Sequence, residues 1–433
     1  MGELDVGTAR WLVSTAGLAA VAAATAQLDD GADELEVATD LAGRTSHPER
    51  RAAALGAAVA RRRARTRWPL ADGLLFTRAA LEQASDPSLS AHRATRLIAT
   101  LDGTPTATGT VVDLCAGVGG DAITLAGEAA GRGASVLAVD DDPARLVLLA
   151  HNAEVAGADL TTQHADALTI ALPPDAILHA DPSRRRDGRR VRRLADHLPS
   201  VPARLAAHAT SGAWGLAVSP GVALDDPDLP DDIEVEYVQL GDRLVEATVW
   251  LRTEPMPATA GGLHRRTRAT LLRDGLGEVV ATRLGDPASR SRLPVGELGA
   301  VLIEPASAAV RARIHDDLGR EIGAQRVAAH RALLTSDVEP PPSPWYRARR
   351  VEEVLPARPK QLRQWLRNTR GTADDPVEVE LVLHGVTADP DELWRSLGRP
   401  RRGPNGLRLE FIRRDHDTVA VVTRTRNVVG AEG

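Results

Sequence analysis

Cysteine is nearly missing from this chain of 433 residues: Cys115 stands alone, which excludes an intramolecular disulfide and any metal site built from several thiolates. Lysine is as scarce, with Lys360 the single example among 53 basic residues, so arginine is the ordinary surface cation and an arginine cluster carries less meaning than usual. Aromatic residues make up only 3%. No apolar run approaches the roughly 20 residues that a membrane-spanning helix requires, so no membrane association is expected. The 12 histidines show no ligand spacing such as His-x-x-x-His in an acidic setting, and no metal is expected. Met1-Gly2-Glu3-Leu4-Asp5 lacks the basic start of a secretory signal, which makes the cytoplasm the expected location. A net charge of −6 excludes a globally basic nucleic-acid binder and leaves room only for a local basic patch.

What is present is a change of pattern along the chain. A length of 433 residues exceeds one ordinary core, and domains of about 100–200 residues give two to four units. Residues 8–101 are alanine-rich with apolar positions at helical spacing, punctuated by Pro48, Pro69 and Pro87. From Gly109 short β-branched runs alternate with helical stretches, which predicts βαβ units and a parallel sheet with strands at 110–114, 136–140, 160–164, 176–181 and 213–219. Residues 233–240, a Gly241-Asp242 turn and residues 243–251 read as a closing hairpin. The run Pro340-Pro341-Pro342-Ser343-Pro344 reads as a stiff connector. The last part has the order β-α-β-α-β-β, with helices at 359–368 and 390–397. The expected division is a helical region at 1–105, an α/β domain at 106–255, an intermediate α/β segment at 256–338 packed with that domain, and a small α+β domain at 345–427.

Chemistry concentrates at the predicted strand ends. Val111 through Asp121 reads as a buried strand, a glycine turn and a helix start; glycines there let the backbone turn sharply and lie against a ligand. Asp113 precedes the turn, where a carboxylate can receive the amino group of a bound amino acid. The turn lacks the G-x-G-x-x-G spacing that favours a pyrophosphate. Asp140 ends the second strand, 27 positions later (140 − 113), where an acid accepts from ribose hydroxyls. Asp166 follows the third strand, where it can accept from an adenine amino group. Together the three acids suit an adenosyl amino acid better than a dinucleotide. Asp181-Pro182 ends the fourth strand in phase with them and should face the reacting group; an Asp-Pro pair is also a common loop start.

Three segments carry a resemblance. Asp113 through Leu125, Val139-Asp140-Asp141-Asp142-Pro143 and Ala150-His151-Asn152-Ala153-Glu154 resemble the class I methyltransferases related to trimethylguanosine synthase. Phe76-Thr77-Arg78-Ala79-Ala80-Leu81-Glu82-Gln83-Ala84 and Arg93-Ala94 resemble the helical lead-in of bacterial proteins that join this domain to a C-terminal THUMP-like domain. Val354-Leu355-Pro356, Gly385-Val386 and Asp389-Pro390-Asp391-Glu392-Leu393 resemble that terminal domain, with Glu304-Pro305 and Leu334-Thr335-Ser336-Asp337 in the segment between.

The resemblance implies a Rossmann-like seven-stranded methyltransferase sheet, S-adenosyl-L-methionine as cofactor, and an RNA acceptor. It implies Asp113, Gly117 and Asp140 as cofactor contacts; Cys115, Ala116, Gly119, Gly120, Asp141 and Asp166 complete the expected cofactor wall. Asp181 and Pro182 are the catalytic candidates, and Phe76, Arg184 and Arg185 the candidates for substrate contact. Relatives that methylate a base amino group carry Asp or Asn, two prolines and an aromatic at the fourth-strand site, whereas Ser183 and Arg184 occupy the last two places here. Seven arginines, from Arg184 to Arg193, crowd the segment after Asp181, as phosphate contacts or as a solvated helix start. The strand at 378–384 carries two acids where an RNA-facing relative would be more basic. Two other classes stay open: a non-catalytic RNA-binding or scaffold protein that keeps the fold, and a nicotinamide-dependent oxidoreductase, which the glycine spacing and closing hairpin disfavour.

Overall fold

The computed structural model describes residues 4–424 apart from 104–108, 174, 184, 187–188, 191–192, 198–212, 231, 252–264, 274, 276, 287–291, 370–377 and 404–405. Two compact units divide the chain, Met1–Arg283 and Leu284–Gly433.

The first unit begins with α1 (Val6–Leu12), α2 (Thr15–Asp29), α3 (Glu34–Arg44) and α4 (Pro48–Ala64), each started by a residue suited to the task. Asp5 and Ser14 accept from backbone amides of the first turn, Asp33 and Glu36 form a capping box, and Pro48 opens α4 without a missing hydrogen bond. Leu12, Val21, Leu28, Val37 and Leu41 interlock with a run of α4 alanines, small enough to let the helices approach closely. Two short helices follow, α5 (Arg78–Gln83) capped by Thr77 and α6 (Pro87–Ile98) capped by Asp86.

A nine-stranded sheet forms the rest of this unit. Its strands are β1 (Thr110–Leu114), β2 (Ser135–Asp140), β3 (Thr161–His164), β4 (Ile177–Ala180), β5 (Trp214–Val218), β6 (Ile233–Leu240), β7 (Arg243–Leu251), β8 (Arg266–Leu272) and β9 (Val279–Gly285), ordered β9-β8-β6-β7-β5-β4-β1-β2-β3. β1 to β5 pair in parallel, and β7 runs antiparallel between β5 and β6. Central β1 is apolar because both faces are covered: Val111, Val112 and Leu114 are fully buried. α7 (Gly120–Ala130) and α8 (Pro143–Ala156) are the crossovers after β1 and β2. Gly215 of β5 has no room for a side chain, since a Cβ there would lie 2.5 Å from the Trp250 ring of β7. The expected strands lie within one residue of those observed.

The seven-stranded expectation needs a correction. β8 pairs in parallel with β6, so residues expected in the intermediate segment extend the sheet to nine strands.

The second unit has its own seven-stranded sheet, from β10 (Val301–Pro305), β11 (Gln325–Arg326), β12 (Leu334–Ser336), β13 (Tyr346–Pro356), β14 (Glu378–His384), β15 (Gly406–Arg413) and β16 (Thr418–Arg424), ordered β11-β12-β10-β13-β16-β15-β14. α11 (Pro359–Thr369) and α12 (Pro390–Ser396) cover Leu409, Phe411 and Val422 with Leu362, Leu366 and Trp394; α9 (Ser307–Arg311) and α10 (His315–Glu321) follow β10. The expected β-α-β-α-β-β order is present from β13 to β16. Its isolation is not: β13 pairs with β10 through its first half and with β16 through its second, across an irregularity between Val351 and Glu353. The segment 256–338 is therefore split between the two units, and the proline run 340–344 joins two strands of one sheet rather than two domains.

The division has a direct test. A fragment of residues 284–433 is expected to unfold cooperatively in urea. One starting at Trp345 loses Leu302, Val327 and Leu333 from their contacts with Ile412, Val419 and Val421, and is expected to show no cooperative transition by circular dichroism.

Candidate active site

Parallel strands place their outgoing loops on one edge of the sheet, and here every loop leaving β1 to β5 contributes to one cavity of about 850 Å³. Asp113, Cys115, Ala116, Gly117, Val118, Gly120 and Asp121 come from β1 and its turn, Asp140 and Asp141 from β2, Asp166 from β3, Asp181, Pro182 and Ser183 from β4, and Ser219 and Pro220 from β5. The N-terminal region closes the far side with Leu4, Ala80 and Glu82 to Ser85, joined by Val245 of the hairpin. Eight carboxylates and one cation, Arg145, stand among the described lining residues.

The turn is built on left-handed backbone. Cys115, Gly117 and Gly119 have φ of 63°, 58° and 99°. Glycine adopts this region freely, whereas Cys115 holds it at a cost of about 1–2 kcal/mol. A Cβ on Gly117 would point into open space, and one on Gly119 would press on Ile123 and Leu149 at 3.1 Å. Gly119 thus shapes the turn and starts α7 but does not line the cavity. Gly117 N donates to Asp140 Oδ2 at 2.8 Å and Asp142 N to Oδ1 at 3.0 Å, which orients the buried Asp140 carboxylate. Burial raises the Asp140 carboxyl above the usual carboxylate value, against the pull of those two amides. Asp166 is exposed at the rim and accepts from Leu168 N at 2.8 Å.

Besides Gly119, three of the expected residues are not among the described lining residues. Phe76 is 3% exposed and packs against Trp68 within the helical core, 5.3 Å between ring centres, so it is a core residue and not a cavity wall. Arg184 lies outside the described residues. Arg185 belongs to a two-residue antiparallel ribbon, Arg185–Arg186 with Arg189–Arg190, whose side chains are likewise outside them.

The sequence reading missed a buried ionic cluster behind the cavity. Arg93 of α6, 1% exposed, donates to Asp121 Oδ1 at 2.5 Å, to Ser85 Oγ at 2.6 Å and to Glu246. Ser85 Oγ in turn lies 3.0 Å from Asp121 Oδ2 and 3.1 Å from Asp181 Oδ2. One hydroxyl proton serves two carboxylates, so Ser85 links Asp181 to the Arg93–Asp121 pair. Burial disfavours the charge on Asp121, but Arg93 and His179 win and hold it well below the ordinary range. His179 stands directly across from Asp113 in the β1/β4 register, with Nδ1 2.7 Å from Asp113 Oδ1. Burial pulls the His179 imidazole down, yet Asp121 and Asp113 raise it above its ordinary value; burial raises Asp113 too, partly offset by His179. The second Asp113 oxygen, Oδ2, is buried and has no hydrogen-bond partner among the described residues. Burial, followed by Asp140 and Asp113, pushes the Cys115 thiol far up, which removes it as a nucleophile.

The signals were present but weak. Arg93 interrupts the apolar face of α6 marked by Leu89, Ala94 and Leu97, a position a surface cation does not occupy. His179 could be tied to Asp113 only once the strand register was known.

No protein-family model matches the chain. An uncharacterized S-adenosylmethionine-dependent methyltransferase of Mycobacterium tuberculosis, found in two strains, is 30% identical over 328 residues, covering 75% of this chain and 80% of that protein. Among solved structures, a protein from Porphyromonas gingivalis assigned as a methyltransferase matches with a TM-score of 0.67 at 20% identity, over 88% of this chain and 92% of that one, which shows a shared fold.

Two measurements check the cluster. Arg93→Met leaves buried carboxylates without their cation and is expected to cost about 3–5 kcal/mol in urea unfolding. Because the folded His179 value lies above 6.5, its contribution to stability is present below pH 6.5 and is lost as pH rises through the folded value. The thermal midpoint of the parent is expected to fall more steeply above that pH than that of His179→Gln.

Proposed function

The chain belongs to the S-adenosylmethionine-dependent methyltransferases, and from that premise we propose that it methylates an uncharged nucleophile on RNA in the cavity at the ends of β1 to β5. S-adenosylmethionine is the cofactor, and it supplies an already activated electrophilic methyl group, so the protein contributes alignment and exclusion of water. The residues present fit it. The unpartnered Asp113 Oδ2 suits an ammonium group, the open side of Gly117 admits a ligand against the backbone, and each Asp140 oxygen, holding one amide, keeps lone pairs for ribose hydroxyls. We assign Cys115, Ala116, Gly120, Asp141 and Asp166 to the same wall.

On the acceptor side Asp181 orients the nucleophile and receives its proton, held by Ser85 from behind and stiffened by the buried Pro182. The observation that carries this reading is the charge of the wall: among the described lining residues eight carboxylates stand against Arg145, with Asp113 and Asp121 paired from behind by His179 and Arg93. Such a cavity repels phosphate and admits a neutral base edge together with a cationic cofactor. Phosphates would stay outside such a wall, and the seven arginines that follow Asp181 in the sequence are candidates to meet them. The arginines on one face of the second unit's sheet are less available: Arg349 and Arg408 are both paired with Glu304 and Glu410. We read β13 to β16 with their two helices as the THUMP-like element and the methyltransferase part as kin to trimethylguanosine synthase, on the residues quoted for each, and place the protein in the cytoplasm.

Calorimetry should find the cofactor bound, with Asp113→Ala and Asp140→Ala each weaker by about 1–3 kcal/mol, roughly 5- to 150-fold. Labelled methyl groups should pass from the cofactor to RNA from a strain lacking the gene and not to RNA from the parent strain; Asp181→Ala should abolish transfer while leaving cofactor affinity within about threefold. Transfer to a protein or small-molecule fraction instead of RNA would refute the acceptor assignment.

A further inference from the structure

Asn152 of α8 is 1% exposed and spends both donors and its oxygen on two segments far apart in sequence. Its Oδ1 accepts from Leu75 N at 2.8 Å, while Nδ2 donates to Leu75 O and to Val118 O, both at 3.0 Å. Val118 lies between Gly117 and Gly119, the two left-handed glycines of the cavity turn. The turn is therefore gripped from both sides by one βα unit: Asp140 at the end of β2 holds the Gly117 amide on the cavity side, and Asn152 holds the Val118 carbonyl on the side away from it. The Leu75 segment is itself locked onto α8. His151 Nε2 lies 3.1 Å from Gly73 O, and a Cβ on Gly73 would stand 2.6 Å from Val155. All three bonds of Asn152 are sheltered from water, where a lost partner is costly.

We propose that Asn152 is a positioning residue for the cofactor: by clamping the Val118 carbonyl to the Leu75 backbone, it makes the geometry of the glycine turn, and with it the affinity for S-adenosylmethionine, depend on the docking of the N-terminal helical region. The proposal rests on the assignment of this cavity to the cofactor. Without the clamp, a turn carrying three left-handed residues is free to relax, and each binding event must order it again.

The test is calorimetric titration of the full chain with S-adenosylmethionine. Asn152→Ala is expected to bind about tenfold more weakly or worse. Asn152→Asp keeps the acceptor for Leu75 N and loses both donors; a protonated carboxyl returns one, so its deficit relative to the parent should be larger at pH 8 than at pH 5.5. Leu409→Ala, buried in the core of the second unit, lowers stability without touching the clamp or the helical region and should bind as the parent does. Folded Asn152 variants that bind within twofold of the parent overturn the proposal, as does an equal loss of affinity in Leu409→Ala. Hydrogen exchange on the parent decides the matter even if neither variant folds: the cofactor should slow exchange at Leu75 together with residues 117–121, and slowing at the turn alone would overturn it. A parent that binds no cofactor would instead refute the cavity assignment, and this inference with it.

Discussion

The guanidinium of Arg93 is the charge around which the first unit is organised. Packing acids at neighbouring strand ends creates a repulsion that water would normally screen, and here Asp113, Asp121 and Glu246 are largely withdrawn from water. A single buried cation with donors on three sides, helped by His179, whose imidazole Asp121 and Asp113 raise above its ordinary value, makes that concentration tolerable. The cluster draws on α6, α7, β4 and β7 together. An arginine suits this better than a lysine, because its fork presents five donors over a wider span and keeps its charge where a buried ammonium readily loses its own.

This makes the N-terminal region part of the site rather than an ornament on it. Ser85 and Arg93 reach the cavity acids, Glu82 and Gln83 line the wall, and Asn152 ties the lead-in to the glycine turn. A second set of pairs fastens the same region to the sheet: Arg96 of α6 bridges Glu234 and Glu236 of β6, and the Trp250 indole donates to Glu236 at 2.8 Å. The helices before the sheet and the sheet itself are thus one cooperative structure, consistent with their falling in one compact unit.

How much of this was legible depended on the range of the interaction. The strands and the closing hairpin were readable because β-branched runs and turn residues act locally, as at Thr110–Leu114 and Gly241. The convergence of Asp113, Asp140, Asp166 and Asp181 on one cavity followed from the parallel order of the strands alone. What stayed hidden came from pairings distant in sequence. β8 looked like part of a separate segment because nothing in Arg266–Leu272 announces β6 as its neighbour, and the proline run looked like a domain boundary because β10 claims β13 across it. Phe76 was misplaced for another reason: it opens the segment that resembles a helical lead-in, which suggests a substrate contact, yet its ring fills the helical core.

The imbalance of the cavity wall also changes what entry means there. Eight carboxylates face one arginine among the described lining residues, and those other than Asp113 and Asp121, which His179 and Arg93 pair from behind, attract mobile cations from the surrounding salt. A positively charged guest then enters by exchange, sending those ions back to bulk, and the entropy of that release becomes part of what holds it.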